Sequence, residues 1–266
     1  MDGTNAKRNL SISTKAGTGL VDGSGAMFDG IAGRYDRLNR VLSLGLDRTW
    51  RSAAVESLQL GPGYRVLDLA TGTADLPLEM VRREPRLEVV GLDPSLGMLG
   101  VGERKIRRAE AHHQIRLVPG CAERLPFPDE SFDGVSMAFG IRNVRDRTRA
   151  LREIRRVVRP GGRVALLELN EPRGGLIALL ARLHLRILVP AIGALLSSSA
   201  EYRYLRRSVE DFPRPERFAI TMTEAGLRVA EPRSLGFGAC SLFSVPSKEK
   251  QTGRVSRDVA RRVVLD

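Results

Sequence analysis

The stretch YRVLDLATGTADLPLEM, residues 64–80, decides the fold. An apolar run ends in Asp68, a turn of small residues follows, and a second acid, Asp75, opens a segment with helical patterning. Strand, tight turn and helix, in that order, form the repeating unit of parallel sheets. What the turn holds is decided by its residue types.

Two phosphate readings fail. A Walker loop ends in Gly-Lys-Ser/Thr so that the lysine meets phosphate, and ATGTAD (70–75) has no lysine. A dinucleotide turn reads G-x-G-x-x-G. Here Gly72 is followed by Thr73, Ala74 and Asp75, so an acid stands where the pyrophosphate would lie. A carboxylate disfavours a neighbouring anion and favours a cation. Asp93 adds a second constraint. It closes the next apolar run, LEVVGLD (87–93), 21 positions beyond Gly72. An acid about 20 residues past such a turn accepts hydrogen bonds from ribose hydroxyls. The expected ligand is a nucleoside without phosphates that carries positive charge. S-adenosylmethionine meets that description through its adenosine, ammonium and sulfonium. For Asp68 the alternative role is a loop-capping acid.

Outward from this unit the pattern repeats. Strand-like runs lie at 65–70, 87–93, 115–120, 132–140 and 163–170, with helical stretches such as DLPLEMVRRE and LREIRRVV between them. Alternation of this kind predicts a doubly wound α/β sheet covered on both faces. RPGG (159–162) reads as a helix stop and turn before the strand RVALLELN, because Pro160 cannot continue the helix. Two late runs, LRVAEPRSL and CSLFSVPS, are expected to close the sheet, with an antiparallel strand near the C-terminus. Such sheets bind ligands outside the carboxyl ends of their strands. That places Asp68, Asp93, Cys121 and the loop after Phe139 on one rim.

Composition narrows the class. A chain of 266 residues with two cysteines, Cys121 and Cys240, supports neither a disulfide framework nor a Cys-rich zinc site, and fits a cytoplasmic protein. His112, His113 and His184 lack metal-ligand spacing, so no metal is expected. The net charge of +12 suits polyanions, either nucleic acid or anionic lipid. Much of the excess is arginine on helical faces: in residues 145–160, Leu151, Ile154 and Val158 make an apolar stripe and the arginines take the other side. Nucleic-acid binding calls for basic residues interleaved with stacking aromatics. Aromatics form 5% of the chain, so no nucleic-acid partner is expected; an RNA-binding protein or RNA methyltransferase is the rival reading from another class.

The sequence resembles the ubiquinone/menaquinone biosynthesis C-methyltransferases. The resemblance rests on MFDGIAGRYDRLNRVLSLGLDRTWR (27–51), VLDLATGTADL (66–76), AERLPFPDESFDGVSMAFGIRNVRD (122–146), RPGGRVALLELNEP (159–172) and YRYLRRSVEDFP (202–213). It implies a class I S-adenosylmethionine-dependent methyltransferase with a Rossmann-like sheet over 26–246. Residues 26–60 would form a helical lid and 174–215 a substrate-side helical insertion, with a flexible tail at 1–25 and a basic tail at 247–266. Thr73 and Asp93 then look like cofactor contacts, Cys121 and Ala122 flank the adenine, and Asp68, Gly72 and Asp75 belong to the same wall. Tyr35, Asp36 and Asn39 match the lid leader, and Arg142 and Asn143 match the catalytic, substrate-side pair.

Four departures stand out. Ala74 replaces a usual glycine, Cys121 a usual Asn or Asp, Ala138 a cofactor-contacting serine, and Phe243-Ser244 a His-Arg pair. The implied reaction is methylation of demethylmenaquinol, or of the related benzoquinol, at a ring carbon, with Arg142 stabilising the phenolate or orienting a water. Its partner would be a lipid quinol, met at the inner face of the membrane, with a homodimer as the expected oligomer. The apolar stretch 174–196 is broken by Arg182, His184, Arg186 and Pro190, so it reads as a surface-lying helix, a tail channel or an ordinary core helix rather than a span. The closest rival is a C- or O-methyltransferase on another small aromatic or isoprenoid substrate.

Overall fold

A computed structural model describes residues 23–171 and 199–246. Three helices precede the sheet: α1 (Gly23–Ile31), α2 (Tyr35–Leu42) and α3 (Leu46–Leu58). Then strands and helices alternate as β1 (Arg65–Leu69), α4 (Asp75–Arg83), β2 (Glu88–Asp93), α5 (Leu96–Arg108), β3 (Ile115–Pro119), β4 (Phe132–Ala138), α6 (Arg147–Val157) and β5 (Val158–Leu169). Two helices, α7 (Ser199–Glu210) and α8 (Pro215–Glu224), and two strands, β6 (Arg233–Leu235) and β7 (Cys240–Val245), follow. The apolar stretch 174–196 and both chain tails lie outside the described residues.

One seven-stranded sheet runs in the order β3-β2-β1-β4-β5-β7-β6. The pairs among β1 to β5 are parallel, and β7 runs antiparallel to both β5 and β6. Successive residues of a strand face opposite sides, and β1 divides its apolar residues accordingly. Leu67 and Leu69 enter a core with Leu151 and Ile154 of α6 and Phe218 and Met222 of α8. Val66 enters the other core, with Val55 of α3, Met80 of α4 and Ile106 of α5. Both faces are thus covered, which is why the central strands read as nearly continuous apolar runs.

Three expectations are corrected. Val158 does not join the apolar stripe of α6; it is the first residue of β5, and Val157 completes the stripe. The residue before a proline is pushed out of the helical region, so Arg159 and Pro160 force the helix to stop early. The RPGG segment is carried inside β5 as a bulge: pairing with β4 jumps from Phe132–Val158 to Gly134–Arg163. In the late run LRVAEPRSL, only Arg233–Leu235 forms a strand, while Leu227 packs in the core.

The strand order reverses between β1 and β4: the chain leaving β1 continues to β2 on one side, and the chain leaving β4 continues to β5 on the other. The crevice this opens is the expected ligand site of such sheets.

Candidate active site

A cavity of about 380 Å³ sits at that crevice. Its floor is Ala70 and Gly72 after β1, Leu92 and Asp93 of β2, and Met137 to Gly140 at the end of β4. Pro94 and Met98 line one side, with Gly120, Cys121 and Ala122 after β3 beside them. Two floor residues, Ala70 (φ 49°) and Phe139 (φ 59°), hold left-handed backbone without being glycine, a strain that persists only where the surroundings enforce it. Gly91, beneath, has no room for a side chain: a Cβ there would lie 2.7 Å from Leu117 and 2.8 Å from the Thr71 hydroxyl.

Asp93 is the anchor of the turn. One carboxylate oxygen accepts the Gly72 N–H (2.8 Å) and the other the Ser95 N–H (2.9 Å). The Ser95 hydroxyl caps α5 by accepting the Met98 N–H at 3.1 Å. Burial pushes the Asp93 carboxyl up to about 6, although both backbone bonds oppose the shift. Asp68 lies deeper. It accepts hydrogen bonds from the hydroxyls of Thr71 (2.7 Å) and Ser136 (2.6 Å), and burial carries its carboxyl up to about 7.

The N-terminal helices α1 and α2 are pinned by two acids. Asp29 of α1 accepts from the Ser95 hydroxyl (2.5 Å) and the Gly97 N–H (2.8 Å), at the start of α5. Asp36 of α2 accepts from the Thr73 hydroxyl (2.6 Å) and from Lys105 of α5 (2.9 Å). Lys105 also bonds the Thr73 hydroxyl (3.2 Å) and pairs with Asp75. Phe28 and Tyr35 consequently close over the cavity, edge to face with centroids 6.1 Å apart.

The opposite wall is the segment Phe139–Arg145. Asn143, Val144 and Arg145 line the cavity; Arg142 does not. Its guanidinium is buried behind the wall, paired with Glu168 of β5 and donating to the Phe139 carbonyl at 2.7 Å. Glu168 in turn accepts the Arg142 N–H at 3.0 Å. Burial disfavours the Arg142 cation, but Glu168 beside it outweighs that and holds it charged. Helix α7 packs on this segment through two residues one turn apart. Tyr204 donates to the Asn143 side-chain oxygen (3.2 Å), and the Ser208 hydroxyl accepts from Arg142 (3.3 Å).

The structure therefore brings Tyr35, Gly72, Asp93, Cys121, Ala122 and Asn143 onto one cavity. Asp68, Thr73, Asp75 and Arg142 stand behind its walls: Arg142 bonds the lining residue Phe139, whereas Asp68 bonds Thr71 and Ser136, and Thr73 and Asp75 join the Asp36–Lys105 cluster. Of the departures, Ala138 and Cys121 line the cavity, whereas Ala74 and Phe243 do not. Phe243 is fully buried, its ring 5.0 Å from that of Phe218, and fills the core. Ala74 holds left-handed backbone (φ 64°), a conformation that explains the usual glycine there. Sequence reasoning missed Glu168, Lys105, Asp29 and Tyr204, whose partners lie 26 or more positions away.

The cavity chemistry fits a cationic adenosyl compound. Apolar side chains offer a slot for a base, Asp93 keeps acceptor capacity for hydroxyls, and a second buried carboxylate lies below. Comparison with known proteins agrees on the fold. A putative S-adenosyl-L-methionine-dependent methyltransferase from Methanococcus maripaludis superposes with a TM-score of 0.61 at 16% identity, covering 85% of this chain and 95% of the other. One from Aquifex aeolicus gives 0.54 at 16% identity, covering 73% and 87%. Among sequences, a demethylmenaquinone methyltransferase from Deinococcus radiodurans is 48% identical over 219 residues, 82% of this chain and 89% of the relative. A ubiquinone/menaquinone biosynthesis C-methyltransferase from Geotalea daltonii is 41% identical over 219 residues, 82% of this chain and 93% of the relative. Residues 20–245, which hold every wall of the cavity, match the ubiE/COQ5 methyltransferase family, and the chain belongs to that family.

Proposed function

We propose that the protein methylates a ring carbon of a demethylated prenyl quinol, demethylmenaquinol to menaquinol, with S-adenosylmethionine as donor. The single observation that carries this reading is a cavity bounded by the Gly72 turn and Asp93 on one side and by Asn143 on the other, in a chain of this family. Asp93 would accept the ribose hydroxyls, and Leu92, Met98 and Ala122 would enclose the base. The cofactor, when bound, supplies an electrophilic methyl group.

The chain's own residues supply position and environment. An aromatic carbon is a weak nucleophile until an adjacent hydroxyl loses its proton. Asn143 faces the cavity and would donate a hydrogen bond to that developing oxyanion. Arg142 acts one layer back: its bonds to the Phe139 carbonyl and Glu168 fix the loop that presents Asn143. Phe28 and Tyr35 exclude water above the reacting atoms. Holding carbon, methyl and sulfur in line contributes about 7–11 kcal/mol to such transfers.

The quinol reaches the site from a lipid surface. Among the described residues no helix is long and apolar enough to cross a membrane. Leu44, Leu46 and Phe237 are nonetheless exposed large apolar side chains, on a protein of net charge +12. Leu46 lies one turn before Trp50 on α3, and Gly236, next to Phe237, abuts the Trp50 ring. This grouping supports peripheral contact with an anionic bilayer.

The test is methyl transfer from labelled S-adenosylmethionine to reduced demethylmenaquinone and to the reduced benzoquinone precursor, in detergent and on anionic vesicles. Labelled naphthoquinol is the expected product. Cofactor binding with no transfer to either quinol would overturn the substrate assignment.

A further inference from the structure

The catalytic wall and the lid meet at one side chain the reaction chemistry does not by itself require, Tyr204 of α7. Its hydroxyl donates to the Asn143 side-chain oxygen at 3.2 Å. Its ring packs edge-on against Phe28 of the lid, with centroids 6.5 Å apart. A carboxamide has one acceptor oxygen and one NH₂ donor group. If the oxygen is engaged by Tyr204, the donor group is the part left for the cavity that Asn143 lines.

We propose that Tyr204 is a positioning residue, which locks the Asn143 carboxamide with its oxygen on α7 and its NH₂ toward the substrate oxygen. This rests on the proposed quinol reaction, in which Asn143 meets a developing oxyanion. Without the lock the amide rotates freely by half a turn, and in the rotated state its oxygen faces the oxyanion and repels it. Two further contacts keep Tyr204 in register. Ser208, one turn along α7 on the same face, accepts from Arg142 at 3.3 Å. Phe28 also packs edge-on against Tyr35, so lid closure and amide orientation share one aromatic contact set. The phenol remains a donor at working pH, because burial raises its pKa more than neighbouring Arg142 lowers it.

The test is Tyr204→Phe, alone and combined with Asn143→Ala, in the quinol methylation assay. Tyr204→Phe keeps the ring and loses only the hydroxyl. It should lower kcat about tenfold, the worth of one such hydrogen bond, with the cofactor Kd, the quinol KM and the thermal midpoint unchanged. In the Asn143→Ala background the same substitution should have no further effect on kcat. An equal loss in both backgrounds, or a loss seen instead as weaker cofactor binding, overturns the proposal, since either means Tyr204 acts through packing. Unchanged kcat in Tyr204→Phe overturns it too. Absence of product from the unsubstituted protein overturns the quinol reading itself and this inference with it. The Asn143 side-chain amide resonances in labelled protein give a readout apart from activity: Tyr204→Phe should shift them, and identical resonances would count against the lock.

Discussion

Asp93 and Arg142 show how differently two charged residues serve one cavity. Asp93 receives two backbone N–H groups, from Gly72 and Ser95. Asp93→Asn must turn an NH₂ toward one of these donors, which breaks the turn and removes acceptor capacity from the ribose position. Cofactor affinity should fall about 10–100-fold, the range for hydrogen bonds to a charged group, as read by calorimetry. Arg142 is buried against a carboxylate, Glu168, that is itself fully buried. Removing one partner of such a pair leaves an uncompensated charge and costs about 3–5 kcal/mol. Arg142→Ala should therefore lower the denaturant midpoint steeply and abolish methylation together, whereas Asn143→Ala should lower turnover about 10²–10³-fold, leaving a measurable rate, with stability nearly intact. Cys121 offers a direct reporter. It is half-buried on the cavity wall while Cys240 is fully buried, so bound cofactor should slow maleimide labelling of the single accessible thiol among the described residues.

At the scale of elements, the cover of the cavity is two short helices, α1 and α2, held chiefly by side-chain bonds, whereas α3 packs in the core. Asp29 ties α1 to the first turn of α5, where two donors and the positive end of the helix favour a carboxylate. Asp29→Ala should cost about 1 kcal/mol and raise hydrogen exchange across 23–42, while exchange in β1 and β4 stays unchanged. Gly91→Ala acts from below. Its Cβ collides with Leu117 and with Thr71, which supports Asp68, and overpacking of this kind costs about 1–3 kcal/mol. The strand–turn–helix unit, the Gly72-to-Asp93 spacing and the apolar stripe of α6 were legible because each depends on neighbours in the chain. The RPGG bulge was not, because proline and glycine mark a break in a helix without saying that the strand has already begun. Nor were the pairs Arg142–Glu168, Lys105–Asp75 or Tyr204–Asn143, since a lone acid in RVALLELN or a lysine in RKIRR carries no sign of a partner brought over by the sheet.

For the whole molecule, the two buried acids set a pH dependence with a definite sign. Asp68 and Asp93 stand at about 7 and about 6 in the folded protein, above the ordinary 3.8. A carboxyl raised by folding stabilises below its unfolded value and loses that contribution as pH rises through its folded one. The cofactor-free protein should accordingly melt at a lower temperature near pH 8 than near about pH 5, by differential scanning fluorimetry. Bound cofactor should reverse the trend: a cation beside the ionised pair favours the deprotonated forms, so affinity should rise as pH increases toward about 7.

The bond from Gly72 to Asp93 has a consequence for life among competing metabolites. Adenine compounds that carry phosphate, ATP and NADH among them, share their adenosine part with the methyl donor. A backbone amide that in other sheets greets a phosphate is here already satisfied by a carboxylate, and the next acid below it is buried as well. A turn so occupied should disfavour ATP, because its carboxylate repels a phosphate and its amide is not free to bind one. Methyl transfer should therefore run at the same rate with or without excess ATP in the assay, and a marked slowing by ATP would contradict this reading of the turn.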